Sequence, residues 1–202
     1  MRIIKAVPKR VDHGLRRRQI ADAVGRIAAR GGLGAATFRE VAAEAGVSVR
    51  LIQYYFGSKA ELMLATQRRV SERAVARIQA RRAGGGESPR EVLLAVLGSF
   101  IPTDGESREI MLLFVALHTA TLVDPTLSRP EAQAIPRSLQ ATIAAQLART
   151  DLGGRPVEAE AAILAGLVPS LAQAVLDGLD TAETALKVLA YAIDRALGAA
   201  PP

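Results

Sequence analysis

Along most of this chain apolar residues recur three and four positions apart, the spacing that lines one face of an α-helix. Long alternating runs of apolar and β-branched residues bounded by turn pairs, the mark of strands, are absent. The pattern predicts an all-α protein of about nine helices, and the breaks between stripes place them. A first helix starts at Arg16 and ends at the glycine pair 31–32, a second begins at Phe38, and a third covers about Val49–Tyr55. The fourth runs from Lys59 to about Arg82 before the GGG at 84–86. Ser88, Pro89 and Glu91 supply a cap, an N1 proline and an N3 acid for a fifth helix ending near Pro102. The sixth covers about Ser107–Leu122 and the seventh about Pro130–Arg149. The eighth is Val157–Leu176, and after a turn at Gly178 the ninth is Thr181–Leu197, with Asp180 and Glu183 as its capping pair.

One stretch, Thr37–Leu62, predicts more than helices. Thr37 and Glu40 have capping-box spacing, in which the threonine hydroxyl accepts from the Glu40 amide and the carboxylate reaches back to the Thr37 amide. Phe38, Val41, Ala42 and Ala45 then share a face, Gly46 can take the left-handed conformation that stops a helix, Val47 plugs the corner, and Ser48 caps the next helix. Two short helices joined by a tight turn containing glycine make a helix-turn-helix. Its second helix buries Ile52 and Phe56 and leaves Arg50, Gln53 and Tyr54 outward. Ser58 and Glu61 repeat the capping spacing at the start of the fourth helix, whose first turn carries Lys59.

Charge separates two readings of this unit, a reader of DNA and a protein contact in which Tyr54, Tyr55 and Phe56 are merely core. Residues 1–83 hold 18 Lys+Arg and 6 Asp+Glu, a balance of +12, whereas residues 84–202 hold 8 and 14, a balance of −6. A basic half carrying the motif on an acidic half without it is the footprint of a phosphate-binding head. The chain reads as a basic tail at 1–15, a helix-turn-helix domain at 16–60, and a helical body at 61–202.

Other classes lose ground on composition. With no Cys, disulfides and Cys-ligated metal sites are excluded, and a reducing cytoplasm fits. Two His and no glycine-rich phosphate loop leave no catalytic, metal or cofactor constellation, so an enzyme is not expected. The basic N-terminus lacks the apolar stretch of a secretory signal. The apolar runs Ile110–Val123 and Ala161–Leu176 read as buried helices rather than membrane spans, being short and interrupted by polar residues. A protein that coats DNA without regard to sequence is the main rival to a specific regulator, since a +12 head binds any duplex.

From Arg16 to Leu64 the sequence resembles the TetR family of bacterial transcriptional regulators: RRRQIADAVGRIAARGG, then TFREVAAEAGVS, then a short recognition helix ending YYF, then GSKAEL. The resemblance implies a homodimeric, ligand-responsive repressor acting on a palindromic operator. It implies a phosphate contact at Thr37, an exposed recognition-helix start at Ser48, Val49 and Arg50, a backbone-facing pair at Tyr54 and Tyr55, and a further phosphate contact at Lys59. Two positions depart from the family pattern. Position 50 is often small and position 53 often Tyr, whereas here Arg50 and Gln53 suit bidentate bonds to guanine and adenine.

For the body, the family implies a dimer interface on the last two helices, and the stripes Leu164, Leu167, Val168, Leu171, Val175 and Ala185, Leu189, Ala192, Ile193, Ala196 are the candidates. It also implies an effector cavity among the middle helices. Met111, Phe114, Val115, His118 and Thr119 are its expected lining, with Gln140, Ser170 and Gln173 as polar handles. Beyond residue 83 the only aromatics are Phe100, Phe114 and Tyr191, too few for a cage around a cation, so an aliphatic, neutral or weakly polar effector is expected.

Overall fold

A computed structural model of the chain describes residues 12–84, 86–124 and 134–198, and within them the fold is all-α. The helices are α1 His13–Gly31, α2 Phe38–Ala45, α3 Val49–Phe56, α4 Lys59–Ala83, α5 Pro89–Gly98, α6 Gly105–Val123, α7 Ala134–Leu147, α8 Val157–Leu176 and α9 Ala182–Ala196. A 3-10 turn at Leu33–Ala35 links α1 to α2. Most of the basic tail and part of the α6–α7 connection, from which the seventh helix was expected to start at Pro130, lie outside the described residues.

Where the boundaries differ from expectation, a capping group explains it. Asp12 accepts from the Leu15 amide at 3.1 Å and starts α1 three residues before Arg16, which takes His13 out of the tail and into the helix. Asp104 and Ser107 exchange the two bonds of a capping box, so α6 begins at Gly105 rather than Ser107. Thr37 caps α2 through its hydroxyl at 3.2 Å from the Glu40 amide, but its own amide already donates to the Ala35 carbonyl at 2.8 Å. Glu40 therefore turns toward Arg39 at 3.7 Å and the second bond of the box is not made. The cap of α9 is Thr181, accepting from the Thr184 amide, not the Asp180–Glu183 pair.

Three apolar clusters hold the helices. In the head, Ile20, Val24 and Ile27 of α1 pack on Val41 and Ala42 of α2, Ile52 and Phe56 of α3, and Leu62 and Met63 of α4. Burying each large aliphatic side chain stabilises by roughly 1.5–3 kcal/mol, so the first turn of α4 is as much part of the head as α3. A second cluster, Val70 and Ala74 of α4 with Ile110, Leu113 and Leu117 of α6, ties head to body. Gly25 of α1 faces this junction, and a Cβ there would lie 3.0 Å from Leu113. The third and largest cluster joins α5, α7, α8 and α9.

That third cluster corrects the expected dimer stripe. Leu164, Val168, Leu189, Ile193 and Ala196 are buried in the chain's own core, and Leu171, Val175 and Ala192 pack against it half-buried. The five buried residues hold α8 and α9 to α5 and α7 and are covered within the chain, whereas the three half-buried ones keep part of their surface. The opposite faces are open: Ala159, Ala162, Ile163, Gly166 and Ser170 on α8, and Thr184, Val188 and Tyr191 on α9, with Ile163 51% and Tyr191 53% exposed. By length and composition α8 is also apolar enough to cross a membrane, against the expectation from its shorter core run, and only 33% of its most apolar window is buried.

Candidate nucleic-acid interface

The recognition helix is held from behind and is open in front. Ile52 and Phe56 are buried, and the Arg17 guanidinium stacks 4.5 Å from the Phe56 ring while donating to the Tyr55 carbonyl at the helix C-terminus. That pair of contacts satisfies an end carbonyl and adds a cation–π attraction. It commits Arg17 to holding α3 on α1. Gly46, at φ 64° and ψ 37°, makes the left-handed stop of α2, and Ser48 caps α3 through the Leu51 amide at 3.1 Å. The turn is therefore the one expected.

The front face gathers most of the expected contact residues. Val49, Arg50, Gln53 and Tyr54 are exposed on α3, Tyr54 by 73%. Thr37 at the start of α2, Ser48 at the start of α3 and Lys59 at the start of α4 are exposed at three helix N-termini, each carrying roughly half a positive charge that favours phosphate. Tyr55 meets the Tyr54 ring edge-on at 5.4 Å but turns the other way: its ring is half-buried against the head core and its hydroxyl meets His13 Nδ1 at 3.2 Å. Of the expected tyrosine pair, Tyr54 projects outward and Tyr55 braces α3 on α1.

Electrostatics sharpen the face. Arg26 and Arg30 both bind Glu44 at 2.6 Å, which holds that carboxyl below its usual range. Arg69 donates twice to Asp22, at 2.9 and 3.2 Å, and is held still more firmly protonated by it. These cations are structural. Among the described residues Arg50 and Lys59 have no ion pair, so their charge is free for DNA.

Comparison with known proteins agrees with this geometry. Residues 18–66 match the model of the bacterial regulatory proteins of the tetR family. Over 194 residues the chain is 33% identical to the HTH-type transcriptional regulator BetI of Burkholderia mallei strain NCTC 10229, covering 95% of this chain and 98% of that one. The chain belongs to the TetR family. Its fold is similar to that of a transcriptional regulator from Rhodococcus sp. Rha1, at TM-score 0.79 and 24% identity, over 92% of this chain and 99% of the other. It is also similar to a regulator from Saccharomonospora viridis solved in complex with choline, at TM-score 0.73 and 23% identity, over 87% and 94%. The protein is thus a DNA-binding transcriptional regulator of the helix-turn-helix type and not an enzyme.

In this TetR-family chain a cleft opens away from the residues on which an effector lining was expected. A cleft of 240 Å³ opens between α4, α5 and α7, bounded by Val75, Ile78, Gln79 and Arg82 of α4, Val96 and Phe100 at α5, and Ser138, Leu139 and Thr142 of α7. None of the eight expected lining residues borders it. Met111 is buried in the body core, and Phe114 stacks behind Phe100 with ring centroids 6.3 Å apart. Val115, His118, Thr119, Gln140 and Ser170 are exposed, as is Gln173, whose amide donates to Asp177 at 2.8 Å. Periodicity marks α6 as apolar around much of its girth and does not say which of its faces meets a cleft.

Sequence reasoning also missed a clamp along α4. Arg73, Arg77 and Arg81, one turn apart, reach the start of α6: Arg73 to Glu109 at 2.7 Å, Arg77 to Asp104 at 2.5 Å, and Arg81 to Thr103 at 3.3 Å. Two contacts on Asp104, the Ser107 amide and then Arg77, hold its carboxyl far below the usual range. The signal was present as three arginines at helical spacing on a helix otherwise poor in buried residues.

Proposed function

We propose that the protein is a homodimeric repressor that reads a near-palindromic operator with α3 and releases it when an effector enters the α4–α5–α7 cavity. The observation that carries the DNA part is the free face of α3, where Ile52 and Phe56 point inward and Arg50, Gln53 and Tyr54 stand clear. The open faces of α8 and α9 support pairing with a second copy. A dimer supplies two heads, with half-site centres about one helical turn or a multiple apart. The work is done in the cytoplasm, where the DNA is.

The effector acts through α4. That helix lines the cavity with Val75, Ile78, Gln79 and Arg82, carries Leu62 and Met63 into the head core, and is clamped to α6 by its arginines. A ligand that shifts α4 therefore moves the head, and it changes DNA affinity only by as much as it prefers one placement of α4 over the other. An aliphatic or weakly polar ligand suits the walls.

Footprinting on genomic DNA selected by the purified protein tests this reading. The expected result is one protected, near-palindromic site that survives an excess of random duplex. Loss of the site to competitor DNA would instead support a coating protein.

A further inference from the structure

Resting on the reading of the α4–α5–α7 cavity as the effector site, we infer that the effector is an aliphatic carboxylate whose head group is held by Arg82. The inner wall is apolar, with Val96 and Phe100 buried and Ile78 and Leu139 half-buried. Polar groups collect on one side, where Gln79 and Arg82 of α4 and Ser138 and Thr142 of α7 border the cleft. The Thr142 hydroxyl is already donated to the Ser138 carbonyl at 2.8 Å.

Arg82 differs from the paired arginines of α4. Arg69, Arg73, Arg77 and Arg81 each have a hydrogen-bond partner, whereas Arg82 has none among the described residues. Among the described residues it is the one charged group bordering the cleft, and no carboxylate does. A cation would find no counter-charge among those residues, only Phe100 as an aromatic surface, and Arg82 to repel it. A carboxylate finds the planar fork that guanidinium offers it. The choline seen in the Saccharomonospora viridis regulator is therefore the wrong charge for this chain. At 240 Å³ the space lies below the roughly 300–1,000 Å³ of pockets for drug-sized ligands, which favours a short or medium acyl chain.

Isothermal titration of the full-length protein with octanoate, 1-octanol and octyltrimethylammonium compares one tail with three heads. Octanoate is expected to bind about tenfold or more tighter than octanol, with the ammonium weakest, and added salt should shrink the octanoate advantage only. Arg82→Gln should bring octanoate to the octanol level and leave octanol unchanged, and Arg82→Glu should reverse the order of the charged probes. Arg82 is exposed, so both variants should fold. Leu139→Trp, which fills the cleft, should abolish binding of octanoate and octanol alike. An octanoate advantage that persists in Arg82→Gln while Leu139→Trp still blocks binding overturns the carboxylate inference and leaves the cavity reading standing. Binding of the probes unaffected by Leu139→Trp, or no binding of any probe, overturns both.

Discussion

The recognition helix α3 and the body helix α8 are both amphipathic, but they answer to different numbers of neighbours. α3 buries Ile52 and Phe56 against one core, half-buries Leu51 and Tyr55, and turns Val49, Arg50, Gln53 and Tyr54 to solvent. α8 buries Leu164, Val168 and Ala172 against the body core and still presents Ala162, Ile163 and Gly166 outward. A helix with one apolar face shows its working face by subtraction. A helix with two does not, because periodicity says that a residue is apolar and helical without saying which neighbour it meets.

The sharpest test of that difference sets two arginine substitutions against each other. Leu189 is fully buried, so Leu189→Arg places an unpaired charge in the monomer core and should lower stability by more than about 4 kcal/mol, read by chemical denaturation. Ile163→Arg lies on the open face of α8 and should keep the monomer folded while shifting sedimentation from dimer to monomer and weakening operator binding. A folded, monomeric Leu189→Arg beside a dimeric Ile163→Arg would return the interface to the stripe first expected from the sequence.

The same contrast explains what the sequence made legible. Caps and turns are local, so Ser48, Gly46, Ser58 and Ser88 could be assigned from spacing alone, and each acts as expected. The eight-residue α3 follows from the same signals. The cavity depends on how α4, α5 and α7 diverge, which no single helix encodes, and its residues Val75, Gln79 and Arg82 look like any solvent-facing part of a long helix. Tyr55 falls between these cases. The family pattern marks it as a backbone-facing residue, and only the approach of α1 to α3 shows that it braces the frame through His13.

The next effect, in order of size, belongs to base reading. Arg50→Ala and Gln53→Ala should each cost about 1–3 kcal/mol at the cognate site and much less on random DNA. Sites selected from a random library by each variant should lose preference at particular positions in each half-site. Unchanged preferences in both variants would mean that the exposed face of α3 grips the backbone only, and that subtraction finds surfaces without finding their roles.

Lys59→Ala tests the phosphate side of the same face, and its effect should be smaller and indifferent to sequence. If about eight phosphates are neutralised by the dimer, the logarithm of affinity should fall with the logarithm of salt at a slope near −7, and removal of two lysines should flatten it by about 2. Titrations at several salt concentrations on operator and random duplexes measure this. A parent-like slope and affinity would remove Lys59 from the interface.

The smallest expected effect concerns the body end of α4, where the arginines are paired and not free. Asp104 caps α6 and binds Arg77, and its lowered pKa means that its contribution is fully present at neutral pH. Since the folded form holds its proton more weakly than the unfolded form, stability falls as pH drops below about 4, where unfolded aspartates begin to protonate. Asp104→Asn keeps an oxygen for the Ser107 amide and loses the charge. With the side chain 48% exposed, solvent screening limits the loss at pH 7 to about 1 kcal/mol or less. Denaturation of both proteins across an acid series should show the gap narrowing below about pH 4. A gap that stays constant down to pH 2 would assign the effect to cap geometry and leave the Arg77 ion pair without weight in the clamp.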